Sequence, residues 1–349
     1  MRTPHARPAV PTPSVAFSTS DPLSRVAVDL LGGDGAPEVV ADAVLALIDE
    51  PGIDLVLVGP TVVATELLTA RGIDPARVRI LDADSVVPMD ADPLALLRAS
   101  DSYSVSVAAA AVRDGLADAW VTVGHTGAAV AAAAFTLGRV PGMTRPALAV
   151  VLPATHGPVV LVDAGAVLDA TADTLLHFAL AGWCYAHALD IADPVIGLLS
   201  IGSEPGKGDV LRSVTDSLLR QILPGFGMRY AGPVEGHDVS RGDRAQVIVT
   251  DGFTGNVLLK GIEGAVTWTA ARLGESYGDP APARRLVTQT ATGDFAGGML
   301  LGVNGVTVIG HGAGSAAEVA ACIRLAARVA EHDIVAETQS TFSALVSTP

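Results

Sequence analysis

Two kinds of segment alternate along the chain, and this alternation constrains the fold more than any other feature of the sequence. Apolar runs of strand length, rich in Val, Ile and Leu, are each followed by a segment with helical spacing of its apolar residues. The strand-like runs include DLVLVG, DAWVTVG, PVVLVDAG, PVIGLLSIG and AQVIVTDG. Such an alternation indicates a parallel sheet covered by helices on both faces. The sequence therefore predicts an α/β protein with three layers and a mostly parallel sheet.

The length of 349 residues allows two ordinary domains or one large α/β body. We predict a single body over 25–349, with a helical excursion around 257–296. Within that excursion, the Gly- and Pro-containing segment 274–285 is predicted to be a loop between two helices. Residues 1–24 are rich in Pro, Ser and Thr and lack the apolar stretch of a secretory signal, so we expect a flexible tail.

Charge and composition exclude several classes of function. The chain has 22 Lys and Arg against 37 Asp and Glu, a formal charge of −15, which argues against nucleic acid as a partner. Its longest apolar stretch, 127–138, is far shorter than the roughly 20 residues of a membrane-spanning helix. The two cysteines, Cys184 and Cys322, both lie in apolar helical patterns, which fits a reducing cytoplasm. Cys184 could be a nucleophile or a core residue, and the absence of polar neighbours favours the core.

Glycine and acidic residues cluster in loops that follow strands and precede helices. Backbone N–H groups at such helix starts bind anions, so several loops converging on one cleft would suit phosphate or an oxyanion. The candidate ligand-binding residues in these loops are Asp29, Gly32, Gly33, Asp34, Gly124, Thr126, Gly127, Asp163, Gly165, Asp251 and Gly255.

No dinucleotide fingerprint, P-loop or H-E-x-x-H motif occurs in the chain. His125 and His311 follow strands and could be general bases, metal ligands or polar loop residues. Neither has ligand spacing to another His or Cys.

Taken together, the loop motifs resemble those of the phosphate acyltransferase PlsX family of phospholipid synthesis. The matching segments run in order from about Val26 to Arg328. They are DLLGGDGAPE, GHTGA, LGRVPGMTRPAL, VDAGAVLD, IGSEPGKG, VEGHDV, DGFTGN and LLGVNG.

The resemblance implies a homodimeric acyltransferase that moves a fatty acyl group from acyl carrier protein to inorganic phosphate, without a metal ion or an organic cofactor. It implies a fold similar to the isocitrate dehydrogenase and phosphotransacetylase group. By motif position, Lys207 and Asn256 become the candidate catalytic cation and hydrogen-bonding group, and the 124–127 turn would supply backbone donors. Asn304 and His311 join the candidate substrate contacts. Arg139, Arg145 and Arg324 are the candidate cations for docking an acidic carrier protein.

Several family residues are replaced in this chain. The family usually has Asn at His125 and Val167, and basic residues at or near Ala99, Ser100, Thr171 and Ile309. The segment after DGFTGN also lacks the basic amphipathic hairpin that attaches family members to membrane, which argues against membrane association.

Two alternatives therefore stay open. One is a paralogue from a specialised biosynthetic pathway that uses another acyl acceptor, with His125 as catalytic base. The other is a non-catalytic scaffold that binds carrier protein.

Overall fold

The computed structural model describes residues 23–88, 90–204, 206–281, 283–285, 287 and 296–347. Its centre is an 11-stranded sheet with the order β3-β2-β1-β4-β11-β10-β5-β6-β9-β7-β8. The strands are β1 Ser24–Asp29, β2 Ile53–Val58, β3 Arg79–Leu81, β4 Ala119–Thr122, β5 Ala147–Leu152, β6 Val159–Val162, β7 Val195–Leu199, β8 Arg229–Val234, β9 Val247–Val249, β10 Gly298–Leu301 and β11 Val306–Ile309. The helices are α1 Glu38–Leu47, α2 Thr61–Ala70, α3 Pro93–Ala99, α4 Ser104–Arg113, α5 Thr126–Thr136, α6 Ala172–Ala188, α7 Val210–Ile222, α8 Gly236–Arg241, α9 Gly252–Tyr277, α10 Ala316–Glu331 and α11 Ile334–Ser347.

The sheet consists of two parallel blocks that run in opposite directions. Strands β3, β2, β1, β4 and β11 are parallel to one another, and so are β6, β9, β7 and β8. Between the blocks, β10 pairs antiparallel with β11 and with β5, and β5 pairs antiparallel with β6. The carboxyl ends of the two blocks therefore lie on opposite edges of the sheet.

Helices cover both faces of the sheet but form different cores there. On one face a single continuous apolar core joins the sheet to α1, α2, α6, α7, α10 and α11. The other face carries two separate cores, one under α4 and α5 and one that includes α8 and residues of α9. Strand residues alternate between the faces; Val26 and Val28 face the continuous core, and Ala27 faces the core under α4 and α5. The predicted three-layer α/β architecture is confirmed.

Two predicted boundaries change. Ser24 is buried and begins β1, so the folded body starts one residue before the predicted boundary. Helix α9 continues through 274–277 and ends at Gly278, which has a left-handed φ of 65°. The chain break predicted over 274–285 thus begins four residues later, because glycine at 278 accepts the helix-ending conformation. Residues 1–22, 282, 286 and 288–295 of the predicted tail and excursion lie outside the described residues. Among the helices that are described, none combines the length and apolarity needed to cross a membrane.

Helix α6 packs closely against the sheet, and Gly182 sets the distance between them. A Cβ atom at this position would lie 2.9 Å from a methyl group of Val162 and 2.9 Å from one of Val247. Both valines are fully buried.

We predict that Gly182→Ala lowers the free energy of unfolding by about 1–3 kcal/mol, because overpacking outweighs the better helix propensity of alanine. The matched control is Gly264→Ala in α9, where an added Cβ meets no atom within 4 Å. There alanine is expected to stabilise the chain by up to about 1 kcal/mol. Urea unfolding of both variants measures the two effects, and equal signs would contradict the packing argument.

Candidate active site

Three loops meet at the upper edge of the sheet, which we define as the edge where β1, β4 and β11 end. They span residues 29–34, 122–127 and 309–314. The loops approach closely enough to require glycine, because a Cβ on Gly32 would lie 2.8 Å from the amide nitrogen of Gly124. Gly33 has a φ of 102°, which disfavours other residues.

Asp29 ends β1 and is 1% exposed. Its carboxylate accepts hydrogen bonds from the Thr122 hydroxyl at 2.7 Å and from the Leu31 N–H at 3.0 Å. The same hydroxyl accepts the N–H of Gly124 at 3.0 Å. Burial raises the pKa of the Asp29 carboxyl above its ordinary value, against the opposing effect of these bonds. This corrects the predicted contact between Asp29 and substrate: the buried carboxylate positions the loops.

His125 caps the start of α5 at the upper edge. Its Nδ1 accepts the N–H of Ala128 at 3.3 Å, so the neutral ring carries its proton on Nε2. The ring lies beside Gly127, since a Cβ there would be 2.9 Å from Cε1. Thr126 and Gly127 are exposed, and within the described chain their N–H groups have no acceptor. Helix α5 therefore begins with unpaired donors at a positive helix end.

The remaining upper-edge candidates, Asp34 and His311, lie on the two neighbouring loops. The Asp34 N–H donates to the carbonyl of Gly312 at 2.8 Å, which joins these loops. Both side chains are exposed. The Nδ1 of His311 accepts the N–H of Ala313 at 3.3 Å. The structure thus brings His125, Asp34 and His311 to one edge.

A second group of loops lies at the lower edge, which we define as the edge where β6, β9 and β7 end. Its centre is Asp163, which is fully buried. The Asp163 carboxylate accepts four backbone N–H groups, from Leu148 at 2.9 Å, Gly165 at 3.1 Å, Ala166 at 3.0 Å and Val167 at 2.6 Å. Burial raises its pKa, partly opposed by these bonds. The predicted substrate contact of Asp163 is corrected for the same reason as that of Asp29.

Asn256 lies in the first turns of α9, against the loop that Asp163 holds. Its Nδ2 donates to the carbonyl of Ala164 at 3.1 Å, and the side chain is exposed. Gly165 and Gly255 permit this close packing. A Cβ on Gly165 would lie 3.2 Å from Asn256 Nδ2, and one on Gly255 would overlap the Asp163 carbonyl. The absence of a side chain at these two glycines therefore lets α9 pack directly against the 163–169 loop.

Arg212 is a residue of this edge that sequence reasoning missed. Its guanidinium, with 11% of the side chain exposed, contacts the Asp251 carboxylate and the hydroxyls of Thr250 at 3.1 Å and Thr254 at 3.2 Å. Burial is the largest influence on the Asp251 pKa and raises it, but the bonds from Thr254 and Arg212 together lower it. Arg212 thus ties the start of α7 to the start of α9. In the sequence it looks like any arginine on an amphipathic helix.

Lys207 is one of only two lysines in the chain. It is exposed in the loop after β7, and within the described residues its ammonium group has no hydrogen-bond or ion-pair partner. Gly202 leaves room for its stem, because a Cβ there would be 3.1 Å from Lys207 Cγ. The other lysine, Lys260 of α9, pairs with Glu263 at 2.8 Å.

The three predicted docking arginines differ in their surroundings. Arg139 and Arg145 are exposed on the loop between α5 and β5, and Arg139 donates to the carbonyl of Thr144. Arg324 lies on α10 and forms two 2.7 Å hydrogen bonds with Glu50. Arg324 therefore has an acidic partner within the chain, and its role in docking stays a prediction.

Asn304 is also engaged within the chain. Its Nδ2 donates to the carbonyls of Leu137 at 3.4 Å and Arg139 at 3.0 Å, and its Oδ1 accepts from Gln339 at 3.0 Å. The residue follows β10, where that strand ends beside the first residues of β5 and β11. Asn304 thus holds the Arg139 loop, and its contact with substrate stays a prediction.

Several positions that differ from the family pattern have structural roles in this chain. Val167 and Ile309 are buried in the apolar cores at 3% and 5% exposure. Thr171 caps α6 by accepting the N–H of Thr174 at 3.2 Å. Ala99 ends α3. Apolar packing stands where the family has Asn at Val167 and a cation near Ile309, and a helix cap stands where the family has a cation at Thr171.

The described residues offer little support for a thiol or metal centre. Cys184 and Cys322 are buried, and burial raises their pKa values to about 11 and about 12. The apolar-core interpretation of Cys184 therefore agrees with its surroundings. Within the described ranges, no three His, Cys, Asp or Glu side chains are grouped so that they could hold a metal ion.

The glycine loops follow strands of two different blocks of the sheet. The 29–34 and 124–127 loops lie at the upper edge, whereas the 163–169, 201–209 and 251–256 loops lie at the lower edge. The physical reason is the reversal of strand direction across β10 and β5. Four strand spacings separate β4 from β6, roughly 19 Å.

Comparison with known proteins connects this arrangement to a family. Residues 24–337 match the model of the family described as fatty acid synthesis protein. A phosphate acyltransferase of Desulfitobacterium hafniense is 37% identical over 325 residues, which cover 90% of this chain and 96% of that protein. One from Thermobifida fusca is 42% identical over 314 residues, covering 85% and 86%.

Solved structures support the fold. The EutD phosphotransacetylase of Staphylococcus aureus superposes with a TM-score of 0.61 at 14% identity, covering 88% of this chain and 94% of that one. A phosphotransacetylase from Streptococcus pyogenes gives the same TM-score at 19% identity, with the same coverage. At such identities the likeness concerns architecture alone, and it confirms the predicted phosphotransacetylase-like fold. The sequence matches go further: the chain belongs to the fatty acid synthesis protein family, the PlsX family of phosphate acyltransferases, and is an acyltransferase.

Proposed function

We propose that the chain transfers an acyl group from an acyl carrier protein to inorganic phosphate, giving an acyl phosphate and the free carrier thiol. A phosphate oxygen forms a bond to the thioester carbonyl carbon, the carbon–sulfur bond breaks, and the leaving thiolate takes up a proton from water. The observation that carries the proposal is the start of α5, where unpaired donors of Thr126, Gly127 and His125 lie beside the glycine loops in a member of this family.

The chemistry needs positioning more than acid–base catalysis. Phosphate is already a nucleophile at neutral pH, so holding it against the thioester lowers much of the barrier. The tetrahedral oxyanion that forms is stabilised by donors aimed at it in advance. The N–H groups of Thr126 and Gly127 and the Nε2–H of His125 fit that role. We therefore assign His125 as a hydrogen-bond donor, and its engaged Nδ1 argues against the role of base.

Lys207 and Asn256 are the proposed phosphate contacts at the lower edge. The Lys207 ammonium has no partner among the described residues, and the amide of Asn256 is exposed at the start of α9. A charge-assisted bond to phosphate is stronger than one between neutral groups. Asp163, Asp251 and Arg212 hold the loops that carry these two side chains.

We propose that Arg139 and Arg145 contact the carrier protein. Both are exposed on one loop of a chain with a formal charge of −15, so an acidic partner needs a local cationic surface. We further propose that the enzyme is a cytoplasmic homodimer that works without a cofactor, for which the family and the two buried thiols are the support.

A product assay tests the function. Purified chain is incubated with short- and long-chain acyl carrier proteins, with and without phosphate, and acyl phosphate is trapped with hydroxylamine. We expect hydroxamate that depends on phosphate. Turnover without phosphate dependence would favour another acceptor, and carrier binding without turnover would favour a scaffold.

We predict that Lys207→Ala lowers kcat/KM for phosphate about 10- to 150-fold, corresponding to loss of a charged hydrogen bond worth about 1.5–3 kcal/mol. The KM for the acyl carrier protein should change little. Lys260→Ala is the matched control, since that lysine is exposed and paired with Glu263. An equal loss in both variants would contradict the assignment of Lys207.

Two substitutions of His125 distinguish a role as hydrogen-bond donor from a role as general base. Asparagine retains a cap acceptor and an N–H donor but cannot act as a base, so His125→Asn should stay within about tenfold of the unchanged chain. His125→Ala should lower kcat about 100-fold. Unfolding curves control for the lost cap, which costs about 1 kcal/mol. If both variants are equally inactive, His125 is a base.

Charge reversal tests the docking loop. We expect Arg139→Glu with Arg145→Glu to weaken carrier-protein binding at least about tenfold at low salt, and less at high salt. The control pair is Arg77→Glu with Arg229→Glu, two exposed arginines near opposite ends of the sheet that give the same change in net charge. Equal weakening by the two pairs, measured by titration calorimetry, would remove the docking assignment.

A further inference from the structure

Helix α5 connects the proposed oxyanion donors to the proposed docking loop. Its first residues carry the N–H groups of Thr126 and Gly127, and the loop that follows its last residue carries Arg139 and Arg145. The helix has 11 residues, so its two ends are roughly 16 Å apart. A carrier protein that docks on the loop therefore has to present its thioester at the other end of α5.

Helix α3 packs along α5, and together they form an exposed surface, which we call the α3–α5 surface. It consists of Leu94 and Arg98 of α3 and Phe135 of α5. Leu94 is 46% exposed and Phe135 is 51% exposed. The Arg98 guanidinium lies over the Phe135 ring, 5.7 Å from the ring centroid. Aromatic and arginine side chains of this kind are enriched where proteins bind one another.

The two helices run in the same direction. A Cβ on Gly127, in the first turn of α5, would lie 3.5 Å from the ring of Pro93, the first residue of α3. Near the other ends of the helices, Arg98 of α3 contacts Phe135 of α5. The α3–α5 surface therefore begins beside the proposed donors and ends beside the loop that carries Arg139.

Three arginines around the last turns of these helices are not used by the acids of the chain. Most arginines of the described chain form ion pairs with Asp or Glu. Among the described residues, no carboxylate pairs with Arg98, Arg139 or Arg145. In a chain with 37 acidic against 22 basic residues, three such arginines in one region favour an acidic partner.

The exposed acids of this region are arranged differently. They are Asp84, Asp90, Asp92 and Asp101. The first three precede α3, and the Asp92 carboxylate accepts the N–H of Leu94 at 3.0 Å as the cap of that helix. Asp101 follows α3 and interacts electrostatically with Arg113 of α4. The cations thus gather where the two helices end, and the acids without an arginine partner lie before α3 begins.

The side of α5 between these two ends is apolar and narrow. Val130 and Ala134 are half-buried and lie three and seven residues after Gly127, so they share its face of the helix. Small apolar side chains leave room for a slender neutral chain to lie along the helix. The pantetheine arm that carries the acyl group of a carrier protein is such a chain.

We propose that the acyl carrier protein docks an acidic face on Arg98, Arg139 and Arg145, with Leu94 and Phe135 at the centre of the contact. Its pantetheine arm then runs along Val130 and Ala134 to the start of α5. The acyl-transfer part of this inference rests on the proposed function, whereas the docking of the carrier protein does not. The surface would make the chain prefer carrier-bound thioesters to free ones.

Titration calorimetry with acyl carrier protein tests the surface. Arg98→Glu and Phe135→Ala, each alone, should weaken binding at least about tenfold. The controls are Arg77→Glu, an exposed arginine before β3, and Val62→Ala, a 69% exposed valine on α2, whose core lies on the other face of the sheet. Equal weakening by substitutions and controls, or an unchanged chain that binds no carrier protein, would overturn the surface.

Two substrates separate docking from a general loss of structure. With acyl carrier protein, both substitutions should lower kcat/KM at least about tenfold. With acyl-pantetheine, which has the arm without the carrier protein, both variants should match the unchanged chain. Equal losses with both substrates would overturn the docking role. An unchanged chain that binds the carrier protein but forms no phosphate-dependent hydroxamate would overturn the proposed function instead, and the titrations would still decide the surface.

The path of the arm has a readout that needs no acyl transfer. A Val130→Cys chain is mixed with carrier protein whose arm thiol is activated as a 2-pyridyl disulfide. Attack by the new thiolate joins the two proteins by a disulfide and releases pyridine-2-thione. The control is Val62→Cys, each rate is divided by the rate with a small pyridyl disulfide, and both native cysteines are buried. We expect a normalised rate at least about tenfold higher at 130, and equal rates would overturn the path.

Discussion

A buried carboxylate at the end of a strand organises each functional edge of the sheet. At the upper edge Asp29 binds the Thr122 hydroxyl, which in turn holds the turn before α5. At the lower edge Asp163 accepts four backbone N–H groups and fixes the loop against which α9 packs. Removing either carboxylate would leave several buried donors without acceptors, which is costly in a low-dielectric interior. The positions of the exposed groups that can contact substrate depend on these two buried carboxylates.

At each edge, burial distinguishes the groups that hold the loops from the groups that can bind a ligand. Groups that hold the loops, such as Asp163 and Arg212, are inaccessible and saturated with partners. Groups that can bind a ligand, such as Lys207 and the first N–H groups of α5, are exposed and unpaired within the described chain. Acidic and glycine residues of both kinds occur in the same sequence motifs. A motif therefore indicates where a site lies without separating its contacts from its supports.

Much of the fold was predictable from local pattern, because apolar runs and helical periodicity depend on neighbours in sequence. The three-layer α/β architecture and the loop positions follow from that pattern. The direction of each strand does not, since β10 and β5 are short apolar segments that look like the parallel strands beside them. Their antiparallel pairing comes from contacts between residues far apart in the chain. Consequently the loops could be predicted individually, whereas their separation onto two edges could not. Arg212 was missed for a similar reason: its acid, Asp251, is 39 residues away.

The chain's two lysines have a chemical consequence if its product is an acyl phosphate. Acyl phosphates acylate amines, whereas the guanidinium of arginine stays protonated and is a poor nucleophile. Of 22 basic side chains only Lys207 and Lys260 carry an amine, and Lys260 is paired with Glu263. An enzyme of this composition offers its own reactive product few places to attach. The mass of the chain after turnover would thus report chiefly on Lys207, the amine proposed to lie nearest the bond being made.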